Sequence, residues 1–234
     1  MHLIDLSTEH LPSETERLVA TAERLGDADV RAPSLCPGWT RGHVLTHLAR
    51  NAEALSRVCA AVLTGEPDTM YDSVEARDAD IESGAGRSAA ELASDVRTQA
   101  AALAPQIIRL GVEHVGTTVE RVPGGQLIAA ERVPFMRLRE VVWHHVDLDA
   151  GYGFADTPDE LVHLFLVDTV ARLASSDGAP GLAIRTDQDD EWTIGDGSTT
   201  IVGSRWGVLH WLARGRTDGL EEPAAPLPAL PFGG

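Results

Sequence analysis

Pro37-Gly38-Trp39-Thr40-Arg41-Gly42-His43-Val44-Leu45-Thr46-His47-Leu48 opens the segment that decides the fold. Pro37-Gly38 breaks the chain and Thr40 is placed to cap a helix N-terminus. From Arg41 to Leu63 the apolar residues Val44, Leu45, Leu48, Ala52, Leu55, Cys59 and Val62 recur at helical spacing, and Thr64-Gly65-Glu66-Pro67 ends the run. This predicts a long amphipathic helix with His43 and His47 four residues apart on one face. Glu140-Val-Val-Trp-His144 repeats the geometry far along the chain. Two helices that each offer two possible ligands at this spacing suit a divalent metal held between them, with room left for substrate.

Outward from this segment, Leu18, Val19, Ala22 and Leu25 predict a helix over 13–25 that Gly26 closes. Residues 65–87 are polar and turn-rich and read as an extended loop near the mouth of a site. Ser88, with Glu91 three residues on, starts a helix reaching Leu110. Alternation from Val115 to Val133 around Pro123-Gly124-Gly125 reads as a hairpin. A further helix runs from Pro134 to Ala150, so four helices with two long connections fit an antiparallel bundle.

After Gly151 and Gly153 the character changes. Thr157-Pro158-Asp159-Glu160 starts a helix to about Ser175. The stretches 181–185 and 199–202 read as strands flanking a turn-rich segment, 204–213 reads as a helix, and 218–221 as an edge strand. The Pro-rich end from Pro223 reads as a loose tail. The expected fold class is α+β: a four-helix bundle over 1–153 followed by a small C-terminal domain over 154–234. No internal repeat is visible.

Composition narrows the chemistry. All 19 basic residues are arginines, against 36 acids, for a formal charge of −17. Without lysine there is no Schiff base, no P-loop lysine and no lysine general base. So acidic a chain is repelled by phosphate backbones, which argues against nucleic acid as a partner. No apolar stretch approaches the roughly 20 residues that span a bilayer, and Met1-His2-Leu3-Ile4-Asp5 does not open a signal peptide. Cys36 and Cys59 are too few for a disulfide framework. A cytoplasmic protein, monomeric or a small homo-oligomer, is the expectation.

Arg137, Glu140 and His144 share one helical face, and a carboxylate on the inner face of a bundle is costly unless paired or metal-bound. The plainer alternatives are a salt bridge from Glu140 to Arg137 or Arg139, and histidines that bind no metal. His145 points about 100° away from His144 and is the weaker candidate.

These residues carry a resemblance. Pro37 to Arg41 running into the His43/His47 helix, with Glu140 and His144 late in a four-helix unit, resembles the DinB-like metal-dependent family. More narrowly, Thr64-Gly65-Glu66, Met70-Tyr71, Ser73, Glu75-Ala76-Arg77, Met136-Arg137, Arg139-Glu140-Val141 and His144 with Val146-Asp147-Leu148 resemble the mycothiol-dependent maleylpyruvate isomerases of actinobacteria. The resemblance continues more thinly around Arg214-Gly215-Arg216-Thr217-Asp218-Gly219. It implies a DinB-like bundle with a zinc triad at His47, Glu140 and His144, leaves His43 at the mouth of the site, and sets the family's C-terminal arginine at Arg214 or Arg216, with Arg214 preferred. Glu140 departs from the three histidines of many DinB-like relatives but agrees with the isomerase subgroup.

The implied reaction is cis–trans isomerisation of maleylpyruvate to fumarylpyruvate in gentisate breakdown. A carbon–carbon double bond rotates only when its order drops, which addition and elimination of a nucleophile achieves. Cys36 sits before a proline and Cys59 on an apolar helix position, neither with an obvious activating partner, so an external thiol, mycothiol, fits as the nucleophile, held as thiolate by zinc. A dicarboxylate substrate needs cations: Arg77 in the 65–87 loop, Arg137, and Arg214 or Arg216 are the candidates, with Tyr71 beside Arg77. Two other readings stay open: a mycothiol S-transferase acting on another electrophile, and a zinc-stabilised binding module without catalysis.

Overall fold

Thr40 caps the helix on which the fold is built. Its Oγ accepts from the His43 backbone N–H, and His43 Nδ1 accepts in return from Thr40 N at 3.2 Å. The helix so started, α3 (Arg41–Thr64), ends on Gly65 in the left-handed conformation (φ +74°). In the computed structural model, which describes residues 3–223 and 226–231, α3 is the spine of the first of two compact units, Met1–Ala150 and Gly151–Gly234.

The first unit also holds α1 (Leu3–Arg24), the short α2 (Asp27–Arg31), α4 (Val74–Gly84), α5 (Ala89–Ile108) and α6 (Val133–Asp147). α1, α3, α5 and α6 close a ring in which each packs on two neighbours: α3 on α5 and α6, α1 on α6 and α5. Leu18, Leu45, Leu48, Leu55, Leu92, Val96, Phe135, Leu138 and Val142 are fully or almost fully buried there. Burying each such side chain contributes roughly 1.5–3 kcal/mol. Ser88 caps α5 with Glu91 in a reciprocal box. The hairpin forms as β1 (Thr118–Glu120) and β2 (Leu127–Ala129), antiparallel, and leads into α6 with Pro134 in its first turn.

The structure departs from the sequence reading in two places here. α1 begins well before residue 13 and carries Pro12 inside it. The expected loop over 65–87 contains α4, capped by Ser73, whose Oγ accepts from Ala76 N at 3.0 Å. α4 fits tightly under α3: a Cβ at Gly42 would lie 2.4 Å from the Ala85 carbonyl oxygen, so only glycine admits that approach.

In the second unit α7 (Asp159–Ala174) and α8 (Arg205–Arg214) pack on each other and against a three-stranded sheet of order β4-β3-β5. β3 (Leu182–Thr186) is parallel to β5 (Thr199–Gly203) and antiparallel to β4 (Glu191–Ile194), a strand that lies within the segment read as turns. The expected edge strand at 218–221 reduces to one bridge, Gly203 to Leu220. The expected tail from Pro223 falls partly outside the described residues, as do Met1 and His2 of the leader reading. The architecture is α+β. Among the described residues no helix is long and apolar enough to cross a membrane.

Candidate metal centre

α3 and α6 bring His47, Glu140 and His144 to one point. His47 Nε2 lies 2.7 Å from Glu140 Oε2, and His144 Nε2 lies 3.3 Å from the same oxygen. One nitrogen or oxygen from each residue falls within 4.8 Å of the other two. The His47 and His144 rings meet edge to face, 4.6 Å between centroids. Donor atoms around a tetrahedral zinc at ~2.0–2.1 Å stand about 3.3 Å from one another. The His144–Glu140 separation already has that value, and the His47–Glu140 pair needs to open by only about 0.6 Å. Two imidazoles and one carboxylate are the donor chemistry of a catalytic zinc, three protein ligands with a further position for another donor.

Electrostatics couple the three. Burial alone would raise the Glu140 carboxyl, but hydrogen bonds from His144 and His47 outweigh it and hold that group well below the usual carboxylate range. Burial pulls His47 below the ordinary histidine value, and the neighbouring His144 and Arg77 charges add to this against the pull of Glu140. His47 is therefore disposed to be a neutral donor. His144 goes the other way: burial opposes its charge, yet Asp147, Cys36 and Glu140 hold it well above the ordinary range.

The surroundings come from four segments. The Trp39 ring stands beside His47, with 5.5 Å between centroids. His43, read as a mouth residue, spends Nδ1 on the Thr40 cap and sets Nε2 3.2 Å from Glu82. Arg77 projects from α4 to bring Nη2 within 3.4 Å of His47 Nδ1, while Nη1 donates to Asp78. Arg77 lines two cavities, one of about 450 Å³ shared with Met70 and Tyr71, and one of about 390 Å³ shared with Trp39 and His43. Tyr71 is buried against the Arg77 and Arg121 guanidiniums, and burial raises its phenol, helped by Glu140.

Two expectations require correction. Arg137 was expected to grip substrate; instead it is 1% exposed, with Nη1 donating to the Leu48 carbonyl and to Asn51 Oδ1, both at 2.9 Å. It clamps α6 to α3 inside the bundle, and burial lowers its pKa to about 10. Cys36 was read as lacking a partner, yet its Sγ donates to Asp147 Oδ2 at 3.2 Å. Cys59 is as inert as expected, its thiol pushed up to about 12 by burial. His145 turns away from the centre and sits 2.8 Å from Thr21 Oγ1. In the second unit Arg214 ends α8 half-buried, Nη1 donating to Ala213 O, and Arg216 is exposed beyond the Gly215 cap.

Asp147 and Cys36 were missed as site residues. The i, i+3 spacing of His144 and Asp147 was a usable signal for the first; Cys36, over a hundred residues away, left none.

Residues 11–149 match the family described as the mycothiol maleylpyruvate isomerase N-terminal domain. The chain belongs to this family. Two solved structures agree over the whole fold, both of a mycothiol-dependent maleylpyruvate isomerase, one of them a histidine-to-alanine mutant. The first is 25% identical with a TM-score of 0.89, covering 99% of this chain and 97% of the other; the mutant is 24% identical, with the same TM-score and coverage. Comparison with curated protein sequences finds no match. His47, Glu140 and His144 all lie within the matched residues.

Proposed function

We propose that this protein is a mycothiol-dependent cis–trans isomerase that converts maleylpyruvate to fumarylpyruvate in gentisate breakdown, with zinc held by His47, Glu140 and His144. The observation that carries the reading is the meeting of these three side chains from α3 and α6 at metal-binding separations. Zinc held there would favour the thiolate form of the mycothiol sulfur at neutral pH, the nucleophile whose addition and later elimination would let the double bond rotate and would return the thiol.

The chain's own residues prepare the place. Glu140 supplies a full negative charge because both histidines hold its carboxyl ionised. With a metal on Nε2, His47 would carry its proton on Nδ1, so the nitrogen 3.4 Å from Arg77 Nη2 would be a donor and not an acceptor. Arg77 would then have no acceptor on that side, which leaves its guanidinium to receive a substrate carboxylate. Tyr71, buried and still protonated at neutral pH, lies with its ring under that guanidinium. Arg214 or Arg216 is our candidate for a second catalytic cation, and Arg137, buried in the bundle, leaves the substrate set.

A spectrophotometric assay of maleylpyruvate with and without mycothiol tests this. Isomerisation should require both zinc and the thiol. Equal turnover without thiol rejects the proposed nucleophile. Consumption of thiol with electrophile, without release of fumarylpyruvate, would instead mark an S-transferase.

A further inference from the structure

We propose that Asp147 is the positioning residue of the metal centre: it fixes which nitrogen of His144 faces the cation, with the Cys36 thiol holding Asp147 in place. The inference rests on the zinc reading above and adds two residues to it.

His144 belongs to two overlapping donor groups, one with His47 and Glu140, the other with Cys36 and Asp147. Its ring divides between them. Nε2 faces Glu140 at 3.3 Å, and Nδ1 faces Asp147 Oδ2 at 2.8 Å. A neutral imidazole has one N–H and one lone pair, so one ring cannot offer a lone pair to both groups. If the cation sits with His47 and Glu140, the proton is on Nδ1 and donates to Asp147. Cys36 Sγ–H then donates to the same oxygen at 3.2 Å, and the buried carboxylate is satisfied. In the converse arrangement a protonated Nε2 faces Glu140, and a thiolate and a carboxylate crowd one another beside the metal. The first arrangement uses every polar atom in the role its geometry permits.

The backbone keeps this geometry fixed. Asp147 is the last residue of α6 and has no exposed surface. Its carbonyl accepts from Leu35 N at 2.9 Å, which ties the turn carrying Cys36 to the end of α6. A carboxylate that orients a ligating histidine typically accounts for 10–100-fold in metal affinity.

The test measures zinc affinity by competition with a chromophoric chelator, alongside the electronic spectrum of the cobalt-substituted protein. Asp147→Ala should bind zinc 10–100-fold more weakly. Asp147→Asn, isosteric and still able to accept from Nδ1, should lose about tenfold, shift the cobalt ligand-field bands and leave the unfolding temperature of the metal-free protein near that of the parent. It carries the test if the alanine variant fails to fold. Cys36→Ala, which removes the donor that holds Asp147, should weaken zinc binding by a few-fold, less than Asp147→Asn, and the parent's cobalt spectrum should lack a thiolate-to-cobalt charge-transfer band. Unchanged affinity and cobalt bands in Asp147→Asn would overturn the role of Asp147. A charge-transfer band that disappears in Cys36→Ala would make Cys36 a ligand and overturn the arrangement. Failure of the parent to bind zinc at all would instead remove the metal reading itself.

Discussion

His47 Nε2 and Glu140 Oε2 stand 2.7 Å apart although 93 residues separate them in the chain. The contact joins the first turns of α3 to the middle of α6, and both residues sit among buried apolar neighbours, Val44, Leu48 and Val141. Such a pair is expensive to bury without a compensating role. His47→Ala should abolish zinc binding and turnover while far-ultraviolet dichroism stays that of the folded bundle, with a stability loss of about 1–3 kcal/mol. Full zinc retention in this variant, read by metal analysis, would strike His47 from the ligands.

Arg77 makes a hydrogen bond at the limit of range to His47 and lines the cavities on either side of it. Arg77→Gln should lower kcat/KM for the dicarboxylate by roughly 10–100-fold, the equivalent of a charged hydrogen bond of ~1.5–3 kcal/mol, with most of the change in KM. Steady-state kinetics on zinc-loaded protein measure this. A variant with parent KM would show that the substrate carboxylate lies elsewhere.

Arg137 is a different kind of residue from Arg77, and the distinction is testable by denaturation. Its guanidinium crosses the bundle to the Leu48 carbonyl and Asn51, and its Nη2 is buried without a hydrogen-bond partner. Arg137→Ala leaves a cavity and unpaired acceptors, at a cost of about 2–4 kcal/mol. Arg137→Met fills the volume without burying a charge, and should cost under about 1 kcal/mol. Urea unfolding that finds the two variants equally unstable would show that the charge itself is required.

His145 makes the bundle acid-sensitive. Burial, with Arg17 and Arg24 adding to it, lowers its pKa to about 3 from the ordinary 6.5. The unfolded chain therefore takes up a proton between those values that the folded chain refuses. This contribution is fully present above pH 6.5 and is lost progressively as pH falls towards 3, amounting to a few kcal/mol at most. His145→Gln should lose less stability than the parent between pH 7 and 4.5. Parallel losses, measured by urea midpoints at each pH, would show that other groups govern the acid limb.

The readable parts of this fold are those where one helix face is continuously apolar. α3, α5 and α6 show that pattern, with Thr40, Ser88 and Pro134 marking their starts. α4 does not: only Ile81 of its eleven residues is buried, so it has no apolar period to detect. Pro12 made α1 look shorter than it is, and β4 buries only one of its four side chains, so its sequence resembles a turn. At the centre the ligands themselves were legible through their i, i+4 spacing and the family resemblance. Their supports were legible only in part. Asp147 follows His144 within one turn, but Cys36 and Trp39 arrive from a turn whose course depends on tertiary contacts such as Leu35 to Asp147. Arg137 shares a helical face with Glu140 and His144, yet side-chain length carries its guanidinium across to α3, which spacing cannot reveal.

The most direct test of the central claim is an anomalous difference map recorded at the zinc absorption edge on crystals of the zinc-loaded protein. One peak is predicted per chain, ~2.0–2.2 Å from His47 Nε2, a Glu140 carboxylate oxygen and His144 Nε2. A peak bound instead by Cys36 and Asp147, or none between α3 and α6, would contradict it.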